Sequence, residues 1–357
     1  MGKKLKILVI NPGNMSTHIA LFENDNLIRE EKVEHSKEEL SRFSYRAVDQ
    51  IDFRSNVINV VLNKWNITDL SAVIGRGGLF KPLESGTYAV NDKMVEDIEK
   101  GNMSGEHMSN IGALLAMAVA NKFGVPSYIA DPVSVDEFEP LARVSGIPQI
   151  PRDALQHTLN IKSVIRRYSS ETAKKLEELN LIVAHLGSGI SICPIKKGRI
   201  VDANNAIQEG PFSPQRSGGL PVNHLIDLCF SGKYTQPEIK KLVTGKGGLT
   251  AYLGTGNLKE IVASIEKEND TISKFYLEAM AYQIAKEIGA MATVIKGDVE
   301  AIIITGNAAY VKLLVDWIKE RVKFIAPVFV FAGADEMRAL AENTLRVLTG
   351  KESAKIY

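Results

Sequence analysis

The sequence is poor in cysteine and has no excess of charge of one sign. Cys193 and Cys229 are the only cysteines among 357 residues. Two cysteines do not supply the disulfide framework of a small secreted protein, so we expect a reducing compartment. The 43 Lys and Arg residues are matched by 42 Asp and Glu residues, for a net charge of +1. This balance argues against a protein that coats nucleic acid or an anionic membrane.

Long hydrophobic runs are lacking as well. The longest apolar run in the middle of the chain, residues 111–120, is far shorter than the about 20 residues of a membrane-spanning helix. Near the start, residues 7–10 are apolar, but Asn11 and Pro12 interrupt the run before it reaches the length of a signal peptide. We therefore expect a cytoplasmic protein with neither a membrane nor a nucleic acid as partner.

Several common catalytic motifs are absent. The chain contains neither the GxxxxGK[ST] phosphate loop nor the GxGxxG dinucleotide fingerprint. The GxSxG motif of many hydrolases and the HExxH motif of zinc proteases do not occur either. The six histidines show no close metal-ligand spacing. A nucleotide-binding function would therefore have to use other loops.

One order of elements occurs twice in the chain. A short apolar strand, a turn of small residues, a second strand, a polar turn and a third strand are predicted at residues 6–33 and again at 181–201. Hairpins with glycine turns are common, so the repeat alone leaves a coincidence open, but it favours duplication of a domain. Strands alternate with helices elsewhere, one of which is predicted at residues 171–179, and this alternation predicts an α/β protein with mixed or parallel sheets. We expect domains at 1–180 and 181–357, with the last helix able to pack back on the first domain.

Turns rich in glycine and small polar residues follow several predicted strands. Such turns present backbone N–H groups and hydroxyls at the carboxyl edge of a sheet, where phosphate is held in proteins without a P-loop. Each alone fits an ordinary tight turn, whereas several together favour nucleotide binding. They lie at residues 11–16, 75–78, 185–189 and 305–307, and a further one at 245–248 follows a helix.

Two arginines lie inside such turns. Arg76 occurs in GRGG directly after a predicted strand, and Arg216 in PQRSGG. A guanidinium in this setting suits two-point contact with carboxylate or phosphoryl oxygens, although a surface arginine is the alternative. Asp131 ends a strand before a proline and is a candidate metal ligand or base, or a turn residue. His185 begins a glycine turn and His107 precedes a helix; either could be structural.

Taken together, these segments resemble the acetate and butyrate kinase family, and its butyrate kinase branch closely. The resemblance runs almost end to end. The matching segments include ILVINPGNMST, GRGGLFKPLESGTYAVND, GEHMSNIGA, ADPVSVDEFEPLARVSGIPQIPR, HTLNIKS, VAHLGSGISI, QEGPFSPQRSGGLP, DLCFSGK, GKGGLTAYLGTG, AYQIAKEIGAMA and FIAPVFVFAGADEM.

The resemblance implies a duplicated actin-like ATPase fold of the sugar-kinase, Hsp70 and actin type, with mixed sheets and flanking helices around a central cleft. It implies reversible transfer of the γ-phosphoryl group of ATP to butyrate or a similar short-chain or branched fatty acid, giving ADP and an acyl phosphate. It further implies Mg²⁺ and a homodimer or larger homo-oligomer. The alternatives are an acetate, propionate or branched-chain acyl kinase, a sugar-type kinase on the same fold, and an ATP-binding regulatory protein.

The family's functional residues fall on identifiable positions. The implied catalytic residues are Arg76, Asp131, His185 and Arg216, and the implied substrate-binding residues are Arg76, His107 and Arg216. The implied metal-binding residues are Asp131 and Glu336, directly or through water. The implied nucleotide- and phosphate-binding residues are Asn11, Ser16, Thr17, His185, Gly187, Ser188, Gly189, Thr305, Gly306 and Asn307.

This chain departs from the family pattern near the implied nucleotide contacts. We expect the departures to alter nucleotide binding more than chemistry, because Arg76, Asp131, His185 and Arg216 are retained. The departing residues are Asn14, His18, Ser188, Asn257, Asn307 and Ala334.

The two kinase interpretations differ in what they require of Asp131. A short-chain carboxylic acid, with a pKa of about 4–5, is ionised at pH 7, so a carboxylate acceptor needs no general base. It needs positive charge, because an anion attacks a polyanion, and Arg76, Arg216 and His185 can supply it. A sugar hydroxyl would instead need Asp131 as its base.

Overall fold

The computed structural model describes residues 4–44 and 46–357. Residues 1–3, which precede the apolar run at 7–10, lie outside the described residues, as does residue 45. The strands, in chain order, are β1 (Lys6–Pro12), β2 (Ser16–Glu23), β3 (Asn26–Glu34), β4 (Ala72–Arg76), β5 (Thr87–Ala89), β6 (Ser127–Ala130), β7 (Leu181–Leu186), β8 (Ile190–Lys196), β9 (Arg199–Ile200), β10 (Ala301–Gly306), β11 (Val328–Ala332) and β12 (Lys355–Ile356).

The α-helices range from a single turn to 24 residues. In chain order they are α1 (Lys37–Leu40), α2 (Ile51–Lys64), α3 (Asp92–Lys100), α4 (Gly112–Phe123), α5 (Thr158–Thr172), α6 (Val222–Cys229), α7 (Gln236–Thr244), α8 (Leu249–Leu253), α9 (Leu258–Glu268), α10 (Thr271–Val294), α11 (Lys312–Val322) and α12 (Glu336–Leu348).

Contacts divide the chain into two compact units. The first contains the described residues up to Asp136 together with Asp335–Tyr357, and the second is Glu137–Ala334. The expected boundary near residue 180 differs from this division, since residues 137–180 group with the second unit. The reason is α5, whose apolar side chains Ile161, Val164 and Ile165 share a core with strand β7. Helix α12 groups with the first unit.

The first unit is built on a seven-stranded mixed sheet in the order β12-β5-β6-β4-β1-β2-β3. Strands β1, β2 and β3 form an antiparallel meander, whereas β4 runs parallel to β1 and to β6. Helices α2 and α4 cover one face, where Leu8, Ile10 and Val73 meet Ile58 and Leu115 in one core. Helix α12 contacts β1, β4 and β6.

The second unit repeats this arrangement with a five-stranded sheet in the order β11-β10-β7-β8-β9. Strands β7, β8 and β9 are again an antiparallel meander, and β10 lies parallel to both β7 and β11. This order corresponds to β6-β4-β1-β2-β3 in the first unit, so the predicted duplication is confirmed in the sheet topology.

Both faces of the second sheet are buried. Along β7, Ile182 and Ala184 belong to one core and Leu181 and Val183 to another, because side chains alternate between the faces of a strand. The first core includes α10 and α11, and the second includes α5. A strand covered on both sides needs apolar residues at every position, which explains the uninterrupted run that marked it in the sequence.

One predicted helix is largely wrong. The pattern at 171–179 predicted a helix, but α5 continues to Thr172 and ends there. Ala173 adopts φ +56°, a left-handed conformation that terminates the helix, and only a short 3₁₀ turn, Leu176–Glu178, follows. In the described part of the chain, no helix is both long and apolar enough to cross a membrane.

Candidate active-site residues

Three predicted site residues of the first unit meet at the carboxyl ends of β1 and β4. Arg76 is the last residue of β4, and its Nη1 donates to Glu336 Oε2 at 2.6 Å. Asn11 Nδ2 donates to the same oxygen at 2.9 Å. Glu336 is the first residue of α12, so a strand end, a neighbouring strand end and a helix start place the three side chains together. Arg76 and Glu336 are about three-quarters buried.

The end of β4 and the turn after it depend on glycine. A Cβ at Gly75 would lie 1.9 Å from the carbonyl oxygen of Gly112, and one at Gly78 would lie 2.1 Å from Asn110 Oδ1. The strand end and the start of α4 therefore approach more closely than any side chain permits. This contact fixes the backbone that carries Arg76.

His107 lies near this cluster and has a defined tautomer. The backbone N–H of Ser109 donates to its Nδ1 at 3.1 Å, so Nδ1 is an acceptor and the neutral ring carries its proton on Nε2. Burial lowers the pKa of His107 from 6.5, the charge of Arg76 lowers it further, and Glu106 and Glu336 act in the opposite direction. A neutral His107 can therefore donate one hydrogen bond from Nε2.

Asp131 is buried and already accepts hydrogen bonds from protein groups. It is 1% exposed and has φ +41°. Its Oδ1 accepts from Ser85 Oγ at 2.6 Å and from the Gly86 backbone N–H at 2.8 Å. Asn343 Nδ2, from α12, lies 3.5 Å from Oδ2. This carboxylate ties β5, β6 and α12 together, and its roles as metal ligand and catalytic residue stay predictions.

The first glycine turn places its two hydroxyls differently. Ser16 is partly exposed, whereas Thr17 is 0% exposed. Thr17 Oγ1 lies 2.8 Å from His35 Nε2 and accepts from Arg54 Nη1 at 3.1 Å. The Thr17 hydroxyl is thus held inside the protein, and of the two residues predicted to contact phosphate through a hydroxyl, only Ser16 is partly exposed.

In the second unit, His185 and Thr305 lie side by side on the parallel strands β7 and β10. Asn160 Oδ1 accepts from His185 Nδ1 at 2.7 Å and from Thr305 Oγ1 at 3.2 Å. Asn160 Nδ2 lies 3.5 Å from the Gly333 carbonyl oxygen, which fixes the orientation of the Asn160 amide. The Asn160 oxygen can only accept, so His185 Nδ1 carries the proton of their hydrogen bond. His185 can therefore donate from Nε2 only as an imidazolium.

His157 and Asn160 were missed by the sequence reasoning. The ring of His157 stacks on that of His185, with centroids 4.0 Å apart and planes at 13°. His157 Nδ1 lies 2.9 Å from Ser191 Oγ, which orients the ring. Both residues belong to the segment HTLNIKS, which carried part of the family resemblance but to which no role was assigned.

Arg216 packs against the turn Gly187-Ser188-Gly189. A Cβ at Gly189 would lie 2.3 Å from Arg216 Nη1, so only glycine leaves room for the guanidinium. Arg216 Nη1 donates to the Ala206 carbonyl at 2.7 Å, and Ser213 Oγ donates to the Ser188 carbonyl. Burial lowers the pKa of Arg216, but an arginine stays charged at neutral pH.

A pocket of about 1000 Å³ opens beside this turn, large enough for a small-molecule ligand. Three of the predicted nucleotide-binding residues, Gly187, Ser188 and Asn307, line it. The neighbouring Gly306 has φ +87°, and a Cβ there would lie 2.3 Å from the Leu186 carbonyl oxygen. Most of the rest of the wall comes from the segment 256–267, including α9, and from residues 308–313 at the start of α11; the sequence reasoning missed most of it. These residues include Leu258, Lys259, Val262, Ala263, Lys267 and Leu313.

Comparison with known proteins agrees with this arrangement. A family model described as the acetokinase family matches residues 156–318. A probable butyrate kinase 2 from Caldanaerobacter subterraneus subsp. tengcongensis is 51% identical over 354 residues, which cover 99% of each chain. Butyrate kinase 2 and butyrate kinase 1 from Clostridium acetobutylicum are 50% and 48% identical, again over 99% of each chain.

The chain belongs to the acetokinase family. Its fold is similar to that of acetate kinase from Porphyromonas gingivalis, with a TM-score of 0.79 at 18% identity over 96% of this chain and 100% of that one. Acetate kinase from Entamoeba histolytica gives a TM-score of 0.74 at 16% identity, covering 95% and 98% of the two chains. A ROK family protein from Streptococcus pneumoniae gives 0.52 at 11% identity, covering 98% and 100%. The predicted actin-like ATPase fold is confirmed.

Two of the residues that depart from the family pattern, His18 and Asn257, have side-chain partners in this chain. His18 Nε2 lies 2.8 Å from Glu30 Oε1 on the neighbouring strand. Asn257 caps α9 by accepting from the Lys259 N–H at 3.1 Å, and it also lines the pocket. Ser188 and Asn307 line the same pocket, and Asn14 is exposed. The departures in the second unit thus lie mainly where nucleotide contacts were predicted.

Proposed function

We propose that this member of the acetokinase family transfers the γ-phosphoryl group of ATP to the carboxylate of butyrate or a similar short-chain or branched fatty acid. The observation that carries the proposal is the 48–51% identity, over 99% of each chain, to proteins named butyrate kinases or probable butyrate kinases. The products are ADP and an acyl phosphate, and the reaction is reversible.

The site residues fit an acceptor that is already ionised. A carboxylate of pKa about 4–5 is an anion at pH 7, so the barrier lies in bringing it to a negatively charged phosphoryl group. We assign Arg76 and Arg216 to neutralising this charge. The Arg76 guanidinium makes one hydrogen bond within the described residues, to Glu336, which leaves its remaining N–H groups for a ligand. His185, as an imidazolium, would donate from Nε2 to a phosphoryl oxygen.

The engagement of Asp131 favours a carboxylate acceptor over a sugar hydroxyl. A catalytic base needs an oxygen directed at the substrate proton. Asp131 is 1% exposed, and both of its oxygens face protein donors. We therefore assign Asp131 to positioning the β5–β6 region rather than to accepting a proton.

The pocket beside Gly187-Ser188-Gly189 suits a nucleotide. Its wall combines apolar side chains, such as Leu258 and Val262, with polar backbone at Gly187 and Ser188. Lys259 and Lys267 add positive charge. We propose that ATP or ADP binds here, with the glycine turns toward its phosphates.

The carboxylates present fit a Mg²⁺ ion held chiefly by phosphates and water. Mg²⁺ commonly takes only one or two protein carboxylates at nucleotide sites. Among the described residues, no group of three or more His, Cys, Asp or Glu side chains forms a metal site by itself. Glu336 fits better than Asp131, because its Oε1 accepts no hydrogen bond within the described residues. Glu336 would hold Mg²⁺, which neutralises phosphate charge when bound.

Trapping the product as an acyl hydroxamate tests the proposed function. The purified chain is incubated with ATP, Mg²⁺ and hydroxylamine, and with acetate, propionate, butyrate or isovalerate in turn; glycerol serves as the sugar-type control. We expect hydroxamate formation with the largest kcat/KM for butyrate or a neighbour of similar size. ADP release with glycerol, and no hydroxamate with any acid, would contradict the proposal.

We also propose that the chain forms a homodimer or larger homo-oligomer. Helix α10 carries large apolar side chains on its outer face: Ile272, Phe275 and Tyr282 are 63%, 66% and 51% exposed. They recur at helical spacing, and Tyr252 stacks on Tyr276 beside them. A second copy of the chain would cover this face.

Light scattering should give a mass of at least twice 39.1 kDa, and the substitution Phe275→Glu should lower this mass. A wild-type monomer at micromolar concentration would contradict this.

A location in the cytoplasm fits the proposed reaction, because ATP and a reducing environment are found there. Cys193 and Cys229 are both free, and Cys229 is exposed. An exposed free thiol is compatible with a compartment that keeps thiols reduced.

A further inference from the structure

Arg54 of α2 is a completely buried guanidinium beneath the first glycine turn. It is 0% exposed. Its Nε and Nη2 donate to Gln50 Oε1, both at 3.0 Å. Nη1 donates to the Ser16 carbonyl at 2.7 Å and to Thr17 Oγ1 at 3.1 Å, and Nη2 donates to the Asn14 carbonyl at 3.4 Å. These five bonds use all five N–H groups of the side chain.

All of these acceptors are neutral. Burial lowers the pKa of Arg54 to about 10, so the side chain is still charged at neutral pH. A buried charge is normally paired with an opposite one, because desolvation is costly. The nearby imidazole of His35 supplies no negative charge, and its own pKa is lowered by burial and by Arg54. The positive charge of Arg54 is thus compensated by no carboxylate contact within the described residues.

The turn above Arg54 turns its carbonyl groups inward. The carbonyls of Asn14 and Ser16 accept from Arg54, and that of Met15 accepts from the His35 N–H at 2.8 Å. The Gly13 N–H closes the turn by donating to the Ser16 carbonyl at 2.8 Å. Within the described residues, the N–H groups of Asn14 and Met15 donate to no protein atom. Because the peptide is trans, the Met15 N–H points away from the Asn14 carbonyl and hence from Arg54.

We propose that Arg54 is a positioning residue for the transferred phosphoryl group. It holds the carbonyls of Asn14 and Ser16 inward, so that unpaired backbone N–H groups face the ligand, and it places an uncompensated positive charge behind them. Such a concave run of N–H groups is an anion site. Strand β1, which leads into this turn, neighbours β4, which carries Arg76. The group that binds at this turn should therefore be the terminal phosphate of ATP rather than its nucleoside. This inference rests on the proposed function, which supplies that phosphate.

Binding of two nucleotides to Arg54 variants tests the inference. Calorimetry compares a non-hydrolysable ATP analogue with ADP for the wild type, Arg54→Lys and Arg54→Met. We expect Arg54→Met to lose affinity for the ATP analogue by about 10-fold or more, while its affinity for ADP is unchanged. Arg54→Lys keeps the charge with fewer donors and should fall between the two. In turnover assays kcat should fall, with KM for butyrate unaffected.

Ile58→Ala is the matched control for lost stability. Ile58 is 0% exposed, lies one turn further along α2 and belongs to the apolar core that contains Leu8 and Leu115. The Ile58→Ala substitution should lower the melting temperature and leave the ratio of the two nucleotide affinities at the wild-type value.

Equal losses of affinity for both nucleotides in the Arg54 variants, or no loss, would overturn the inference. If Arg54→Met fails to fold, the ratio in Arg54→Lys decides alone. Failure of the proposed function would show separately, as a wild type that binds nucleotide but forms no hydroxamate.

Discussion

Arg76 and Arg216 are both placed by glycine, but their surroundings differ. Arg76 pairs with the carboxylate of Glu336, whereas Arg216 donates to the neutral Ala206 carbonyl and packs on Gly189. The sequence predicted both arginines because glycine surrounds them. It could not predict Arg54, since an arginine inside a helix has no local feature that distinguishes a buried position from an exposed one.

Removing either arginine should mainly raise the barrier to phosphoryl transfer. We expect Arg76→Ala and Arg216→Ala each to lower kcat/KM by about 10²-fold or more, equivalent to a few kcal/mol. Lysine should restore little, because a point charge cannot reproduce two parallel N–H donors. Steady-state kinetics with butyrate and ATP check this. Near-normal kcat/KM in either alanine variant would place that arginine outside the reaction.

The two candidate metal ligands should respond differently to Mg²⁺. Glu336→Gln should lose activity that higher Mg²⁺ partly restores, since a ligand of the ion has been weakened. Asp131→Asn should lose activity that Mg²⁺ does not restore, because the change weakens the bonds from Ser85 and Gly86 instead. Activity is measured over a series of Mg²⁺ concentrations for both variants and the wild type.

If Mg²⁺ restored the activity of Asp131→Asn but not that of Glu336→Gln, the metal would be assigned to Asp131. If Asp131→Asn removed an acid limb from the pH profile of kcat/KM, without metal rescue, Asp131 would be a base and the acceptor would not be a carboxylate. A limb near pH 4–5 that persists in the variant reports substrate ionisation instead.

Among the elements, strands were easier to predict than helices. The strands that open each meander stand out because apolar runs end at turns of glycine, asparagine and serine. The helix predicted at 171–179 failed because Ala173, which ends α5, adopts a left-handed conformation that alanine rarely takes. Most of the pocket wall was missed for a related reason: the residues of α9 and α11 become neighbours only through the fold.

The close contact between β4 and α4 gives a prediction at this scale. Gly75→Ala should lower both the melting temperature and kcat/KM, because its Cβ would lie 1.9 Å from the Gly112 carbonyl oxygen and must displace the end of β4. Gly289→Ala is the matched control. Gly289 lies within α10, and its added Cβ meets nothing within 4 Å. That variant should gain about 0.5–1 kcal/mol in stability, with activity unchanged.

Thermal unfolding with activity assays decides the comparison. A Gly75→Ala variant as active and as stable as wild type would mean that the strand end can shift without displacing Arg76.

The whole molecule is a duplicated fold. The two copies share a strand order but differ in the elements that surround each sheet. The sequence predicted the duplication because both meanders have the same succession of strands and turns. The expected boundary near 180 differed because it followed the start of the second meander, whereas α5 precedes that meander and packs on its sheet. Sequence proximity to one meander says little about which sheet a helix covers.

The stability of the whole protein should fall in mild acid. Burial is the first cause of the lowered pKa of both His35 and His107, whose ordinary value is 6.5. The folded state therefore binds fewer protons at these sites than the unfolded state, and stability decreases as the pH falls below about 6.5. Melting temperatures between pH 5 and 8 should show this decline, and His107→Asn, which can replace Nδ1 as acceptor, should reduce it. A melting temperature that is flat across this range would contradict the account.

The central claim is that a carboxylate oxygen attacks the γ-phosphorus of ATP. Butyrate labelled with ¹⁸O in both carboxyl oxygens tests it most directly. The account predicts that ³¹P NMR of the acyl phosphate shows one ¹⁸O bonded to phosphorus, in the bridge to the acyl carbon, with unlabelled ADP as the other product. Label in AMP, or an acyl phosphate without ¹⁸O on phosphorus, would contradict it.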